Sequence, residues 1–146
     1  MYTYPYPRPA LTVDAIIFKK GTDELLLIER GKDPYVGKWA LPGGFLEMDE
    51  LLVDGCRREL KEETGLEVEE LNQFRTYDAI DRDPRGRTIS VVFYGVAAGN
   101  MVVEGADDAA RAAWFSVNQL PELAFDHELI ISEFLQYTYG HGSGRS

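Results

Sequence analysis

The segment Gly43–Leu66, GGFLEMDELLVDGCRRELKEETGL, constrains the fold more than any other stretch of this chain. Its glycine pair predicts a turn, and the residues after it predict one helix closed at Gly65, where a missing Cβ suits a left-handed cap. Leu52, Val53, Cys56 and Leu60 share a stripe of that helix, and Gly55 keeps a small surface beside them. The stripe can therefore pack on a sheet while the next edge faces a cleft. On that next edge Glu59, Glu62 and Glu63 stand at i, i+3 and i+4. At about 100° per residue they fall on one face. Three such carboxylates repel, and hard cations such as Mg²⁺ or Mn²⁺ are the partners that relieve them. Arg58 lies one turn before Glu62 and can orient it by a charge-assisted hydrogen bond. Lys61, Asp54, Glu50 and Arg57 are expected on the far side, in solvent.

From Gly44 five residues lead to Glu50, and seven more lead to Arg58-Glu59-Leu60-Lys61-Glu62-Glu63-Thr64-Gly65-Leu66. This spacing matches every fixed position of GX5EX7REUXEEXGU, and on these residues the chain resembles the Nudix family. An ordinary solvated helix has no need of Gly43, Gly44 and Gly65 at these offsets. The resemblance implies a hydrolase that cleaves a nucleoside diphosphate linked to another moiety X, using divalent cations. It implies Glu59, Glu62 and Glu63 as metal ligands, with the Gly44 carbonyl adding another. Arg58 would hold the carboxylates, with Glu47 assisting. The general base stays open among Glu63, Glu104, Asp107 and Asp108, because loop carboxylates opposite the helix can serve as base, as ligand or simply as turn residues.

Charge narrows the partners. A net charge of −10 argues against a nucleic-acid polymer, which recruits a basic stripe. A phosphate substrate then needs metal ions and local arginines to offset repulsion. Arg30, ending a predicted strand, and Arg82, Arg85 and Arg87, in the loop Asp81-Arg82-Asp83-Pro84-Arg85-Gly86-Arg87, are the candidate anion binders beside Gly43 and Gly44. Solvation is the alternative for each. Cys56 is the single cysteine, so no intrachain disulfide forms, and its place on the apolar stripe predicts a buried small side chain. No leader-like start and no run of about eighteen apolar residues occurs, so the expectation is a soluble, cytoplasmic protein.

The Tyr/Pro-rich residues 1–10 predict an extended arm, lying on its own domain or crossing to a second subunit of a homodimer. One domain is expected over 11–139, with a disordered tail over 140–146. Strands are expected at 11–19, 24–30, 39–41, within 66–79, at 88–97 and at 112–117, and a closing helix over 126–139. Asp14 interrupts an apolar strand and needs a partner if buried. His127, at a helix start beside Asp126, reads as a capping or packing residue. The order β-β-β-α-β-β-β-α predicts an α/β fold, a three-layer α/β/α sandwich around a mixed sheet, as the Nudix resemblance also implies.

Outside the motif, the runs at 12–18, 37–45, 82–87 and 123–127 resemble bacterial ADP-ribose pyrophosphatases and the Nudix-like domains of regulators of NAD metabolism. That likeness implies hydrolysis of ADP-ribose to AMP and ribose 5-phosphate. A nucleoside-triphosphate pyrophosphatase acting on oxidised nucleotides, or a non-catalytic ADP-ribose-binding module, are the alternatives. The chain is not expected to hold the winged helix or the adenylyltransferase domain that some such proteins carry.

Overall fold

The computed structural model describes residues 5–99, 103 and 109–142. Alternation along strand β1 (Ala10–Lys19) sets the layers, because successive side chains leave opposite faces of a sheet. Val13, Ala15 and Ile17 enter one apolar cluster, which helix α1 (Leu52–Thr64) completes with Cys56 and Leu60. Ile16 enters another, which helix α2 (His127–Gly142) completes with Ile130, Ile131 and Phe134. A sheet between two helices results, the three-layer α/β/α sandwich expected from the sequence. Cys56 is buried and free, as predicted.

The sheet is mixed. β1 runs parallel to β6 (Thr88–Ala97) in unbroken register from Ala10↔Thr88 to Lys19↔Ala97, and β6 pairs antiparallel with β5 (Asn72–Tyr77). β2 (Glu24–Arg30) follows β1 through a turn in which Gly21 takes φ 78°, a conformation natural to glycine. β1 and β2 meet at Phe18↔Leu25 and then part. Residues 39–45 enter the gap. There β3 (Trp39–Ala40) pairs with β2, and β4 (Gly43–Phe45) pairs with β1 at Thr12↔Phe45, Val13↔Gly44 and Asp14↔Gly43. Between them the Ala15 N–H donates to the Pro42 carbonyl at 2.8 Å. β7 (Ala109–Ser116) pairs antiparallel with β2. Through this split in the sheet, groups from both helical layers reach one cleft.

Several expected boundaries move. Gly43 and Gly44 form strand β4 instead of a turn, and α1 starts only at Leu52. Glycine is needed here for close approach: a Cβ on Gly43 would strike the Val13 carbonyl and the Asp14 carboxylate. At the other end Gly65 caps α1 in the left-handed conformation, φ 79°, its N–H donating to the Lys61 carbonyl at 2.8 Å. β7 starts at Ala109, before the expected 112, and α2 runs on to Gly142. Tyr2 and Tyr4 of the arm and the last four residues lie outside the described residues. No helix among the described residues is long and apolar enough to cross a membrane.

Candidate active site

Helix α1 presents its carboxylates to the end of β4. Glu63 is buried, and its Oε1 accepts the Gly43 N–H at 2.7 Å. A Cβ on Gly44 would stand 2.5 Å from the Glu59 carboxylate carbon, so a side chain there would displace that carboxylate. Burial pushes the Glu63 carboxyl up to about 8, opposed by the Gly43 N–H and reinforced by Glu59 and Asp14. Glu59 is raised as well, by burial first and, less, by Glu62 and Glu50, against the pull of Arg58. These are carboxylates held closer together than their charge favours.

Arg58 is their brace. Its guanidinium contacts Glu47 at 3.0 Å, Glu50 at 2.7 Å, Glu59 at 3.0 Å and Glu62 at 3.2 Å, and donates to the Phe45 carbonyl at 3.2 Å. The expected Arg58–Glu62 contact is present. The expectation that Glu50 is solvated on the far side of the helix is corrected. Glu50 precedes Leu52, so no helical wheel describes it, and its carboxylate takes the shortest of the Arg58 contacts while accepting the Glu47 N–H at 2.9 Å. Arg57 is half-buried and does more than meet solvent: it donates to the Val68 carbonyl and, at 2.9 Å, to that of Glu69, tying the chain after α1 back to the helix. Lys61 and Asp54 are exposed, as expected.

Glu59 and Glu63 line a cleft of about 220 Å³ together with Gly43, Gly44, Arg30, Arg82 and Arg85. Glu62 does not line it, turning instead toward Arg58 with nearly half its side chain exposed. The arginines divide. Arg30 lies over the Phe125 ring at 5.0 Å and donates from Nε to the Pro34 carbonyl at 2.6 Å. Arg85 lies at the rim, forked onto Asp83 at 3.1 and 2.8 Å. Arg82 is buried and is committed to the fold, gripping Asp126 at 2.8 and 2.6 Å and donating to the Ser90 hydroxyl at 2.7 Å. Arg87 is outside the cleft: it is exposed and donates to the Asp78 carbonyl at 2.6 Å and that of Ala79 at 3.3 Å, bracing the loop. Lys32 and Asp83 line the cleft too and were not singled out as site residues from sequence; Asp83 lies within the marked loop at 81–87, whereas nothing local marks Lys32.

The floor is polar and buried. Asp14 finds the partners it requires in Arg82 and Ser90, yet burial dominates and pushes its carboxyl up to about 7, with Asp126 and Glu59 adding to the rise. His127 is buried, accepts the Leu41 N–H on Nδ1 at 2.9 Å, and is pushed down to about 4 by burial, so the imidazole is neutral. The packing role expected for His127 is what the contact shows, although the ring also borders the cleft. Glu104, Asp107 and Asp108 lie outside the described residues.

Among the described residues, no three acidic, histidine or cysteine side chains already converge as a preformed metal cage. The donor chemistry nevertheless fits a hard dication. Glu59 and Glu63 are oxygen donors raised by burial, Glu63 further by Glu59, and the side-chain-free backbone of β4 packs directly against them.

A family model described as NUDIX domain matches residues 8–137. The chain is similar to the ADP-ribose pyrophosphatase of Methanocaldococcus jannaschii, with 44% identity over 135 residues that cover 92% of this chain and 78% of that protein. Among solved structures, it is similar to a bifunctional NMN adenylyltransferase/ADP ribose pyrophosphatase of Francisella tularensis complexed with AMP and a Mn ion. There the TM-score is 0.80 and the identity 32%, over 92% of this chain and 43% of that one, so this chain spans under half of the bifunctional protein. It is also similar to the NUDIX domain of Shewanella oneidensis NrtR complexed with ADP ribose, with a TM-score of 0.82 and 29% identity over 92% of this chain and 93% of that domain. A glutamate-bearing helix edge, the split sheet that opens a cleft beside it and a family match across nearly the whole chain agree: the protein belongs to the Nudix family and is a Nudix hydrolase.

Proposed function

We propose that this chain hydrolyses the diphosphate of ADP-ribose, in the presence of Mg²⁺ or Mn²⁺, to AMP and ribose 5-phosphate. The observation that carries the reading is the pairing, in one cleft, of the half-buried Glu59 and buried Glu63 carboxylates with the cationic side chains of Arg30 and Arg85. Similarity to the archaeal pyrophosphatase supports the choice of substrate, as do the AMP and ADP ribose bound by the two structural relatives.

Glu59, Glu63 and the Gly44 carbonyl would hold the cations, with Glu62 joining from the Arg58 brace. Cations held there supply charge neutralisation and a lowered pKa for the attacking water. The chain's own work is positional. Arg58 fixes Glu59 against the end of β4. Gly43 and Gly44 let the strand approach the carboxylates without a side chain in the way. Arg30 would meet the anionic oxygens, and its placement in a partly enclosed cleft strengthens that contact. The base belongs to Glu63 or to one of Glu104, Asp107 and Asp108.

Incubation with Mg²⁺ and a panel of ADP-ribose, dinucleotides and nucleoside triphosphates, followed by product identification, tests the reading. AMP with ribose 5-phosphate from ADP-ribose is the expected outcome. Release of pyrophosphate from triphosphates as the dominant activity overturns the substrate assignment, and tight ADP-ribose binding without turnover replaces the enzyme with a binding module.

A further inference from the structure

The cleft holds about 220 Å³, less than the roughly 300–1,000 Å³ of pockets that enclose a drug-sized ligand. A nucleoside diphosphate carrying a second sugar is larger still. With its diphosphate at the carboxylates, the remainder must lie along the rim.

At that rim stands Phe45, the last residue of β4 and 45% exposed. Its neighbour Gly44 packs on Glu59, and its cross-strand partner is Thr12, so the ring is set at a fixed distance from the carboxylates by a paired strand. The Arg85 guanidinium lies 4.9 Å from the centre of the Phe45 ring. Two hydrogen bonds to the buried Asp83 carboxylate fix the plane of that guanidinium. Behind it Phe125 contacts Arg85 at 5.3 Å and Arg30 at 5.0 Å, and Tyr35 meets Phe125 edge-on at 4.8 Å. Both of these aromatic residues hold left-handed backbone conformations, φ 64° for Tyr35 and 54° for Phe125. Such conformations cost free energy in a non-glycine residue and persist where surrounding structure enforces them. Phe125 is thus spoken for by its neighbours, whereas Phe45 keeps exposed apolar surface beside a planar cation.

We propose that the face of the Phe45 ring turned away from Arg85 is the subsite on which the substrate's nucleobase stacks, with the Arg85 guanidinium, held between Phe45 and Phe125, backing the ring. Every base presents a flat π-face, which an aromatic ring receives. The inference rests on the reading of the cleft as a nucleoside-diphosphate site and adds which end of the substrate lies at which wall: diphosphate at Glu59 and Glu63, base at Phe45.

Binding of AMP and of ribose 5-phosphate, measured by calorimetry on wild type and on Phe45→Ala, Phe45→Trp and Arg85→Lys, tests it, because the two ligands share a phosphorylated ribose and differ in the base. Phe45→Ala is expected to weaken AMP by about 5- to 150-fold, the range for loss of one base stack, with ribose 5-phosphate unchanged. Phe45→Trp restores AMP binding. Arg85→Lys keeps the charge and loses the plane, and is expected to weaken AMP more than ribose 5-phosphate. Equal weakening of both ligands, AMP affinity indifferent to Phe45, or no AMP binding by wild type overturns the subsite. Hydrolysis of ADP-ribose, followed separately on wild type, keeps the two ideas apart. Turnover with Phe45-independent AMP binding sinks the subsite alone; Phe45-dependent AMP binding without turnover sinks the hydrolytic reading alone.

Discussion

Arg58 and Arg82 each gather carboxylates, in opposite surroundings. Arg58 keeps a quarter of its side chain in solvent and touches Glu47, Glu50, Glu59 and Glu62. Arg82 keeps 4% exposed and spends its fork on Asp126, with one further donor on Ser90. Solvent reaches the first cluster at Arg58 itself and at Glu47 and Glu62, so its contacts contribute less to holding the chain folded than to where the carboxylates point. The second lies where an unpaired charge is expensive, so it belongs to the fold itself. Arg82 lines the cleft itself, whereas Arg58 reaches it only through Glu59.

Removing each arginine tests that division. Arg82→Met leaves Asp126 without its partner and is expected to lower unfolding free energy by about 3–5 kcal/mol, while Arg82→Met with Asp126→Leu recovers much of the loss. Urea melts read both variants, and a loss under about 1 kcal/mol for the single change would erase the contrast.

Next in size is a pH effect from the floor of the Arg82 region. His127 has a folded pKa of about 4 against its ordinary 6.5, so the folded state binds fewer protons than the unfolded one between those values. Stability from keeping the ring neutral is therefore complete above pH 6.5 and is lost as pH falls toward 4, by up to about 3 kcal/mol. Asp14 and Glu63, both raised, act in the opposite direction over their own range. The quantity to measure is thus the stability of wild type minus that of His127→Gln from pH 7 to pH 4; a flat difference contradicts the buried neutral imidazole.

The smallest change in stability is expected at the other hub. Arg58→Gln should alter unfolding free energy by about 1 kcal/mol or less, yet reduce kcat by about 10- to 100-fold, as the loss of groups that orient metal ligands does. Arg58→Lys is expected to recover little, since one ammonium cannot replace a fork that reaches four carboxylates. A large stability loss with normal turnover would make Arg58 a second Arg82.

The same two regions separate what was legible in the sequence. Helix α1 is periodic and local: the stripe of Cys56 and Leu60, the Arg58–Glu62 contact at i+4 and the Gly65 cap all follow from the geometry of one element. Asp126 lies 44 residues from Arg82, and Gly43 lies 20 from Glu63, and no spacing rule announces either bond. The glycine pair read as a turn because glycine's conformational freedom and its lack of bulk look alike in sequence; here the lack of bulk is what Val13, Asp14 and Glu59 require. In the loop at 81–87 composition marked three arginines, while only tertiary packing sorts them into a buried tie, a rim contact and an exposed brace. Glu50 stood at a fixed position of the motif, and that position was a better guide than the helical wheel that misplaced it.

The central claim is that the acidic edge of α1 is the seat of hydrolysis, and it is tested most directly by steady-state turnover of ADP-ribose at saturating Mg²⁺ by Glu59→Gln and Glu63→Gln, each with its thermal melt recorded. Both substitutions keep side-chain volume and remove the anionic form that a cation would bind, so the account predicts folded proteins whose kcat falls by about 10²-fold or more. Folded variants turning over at near the wild-type rate would contradict it.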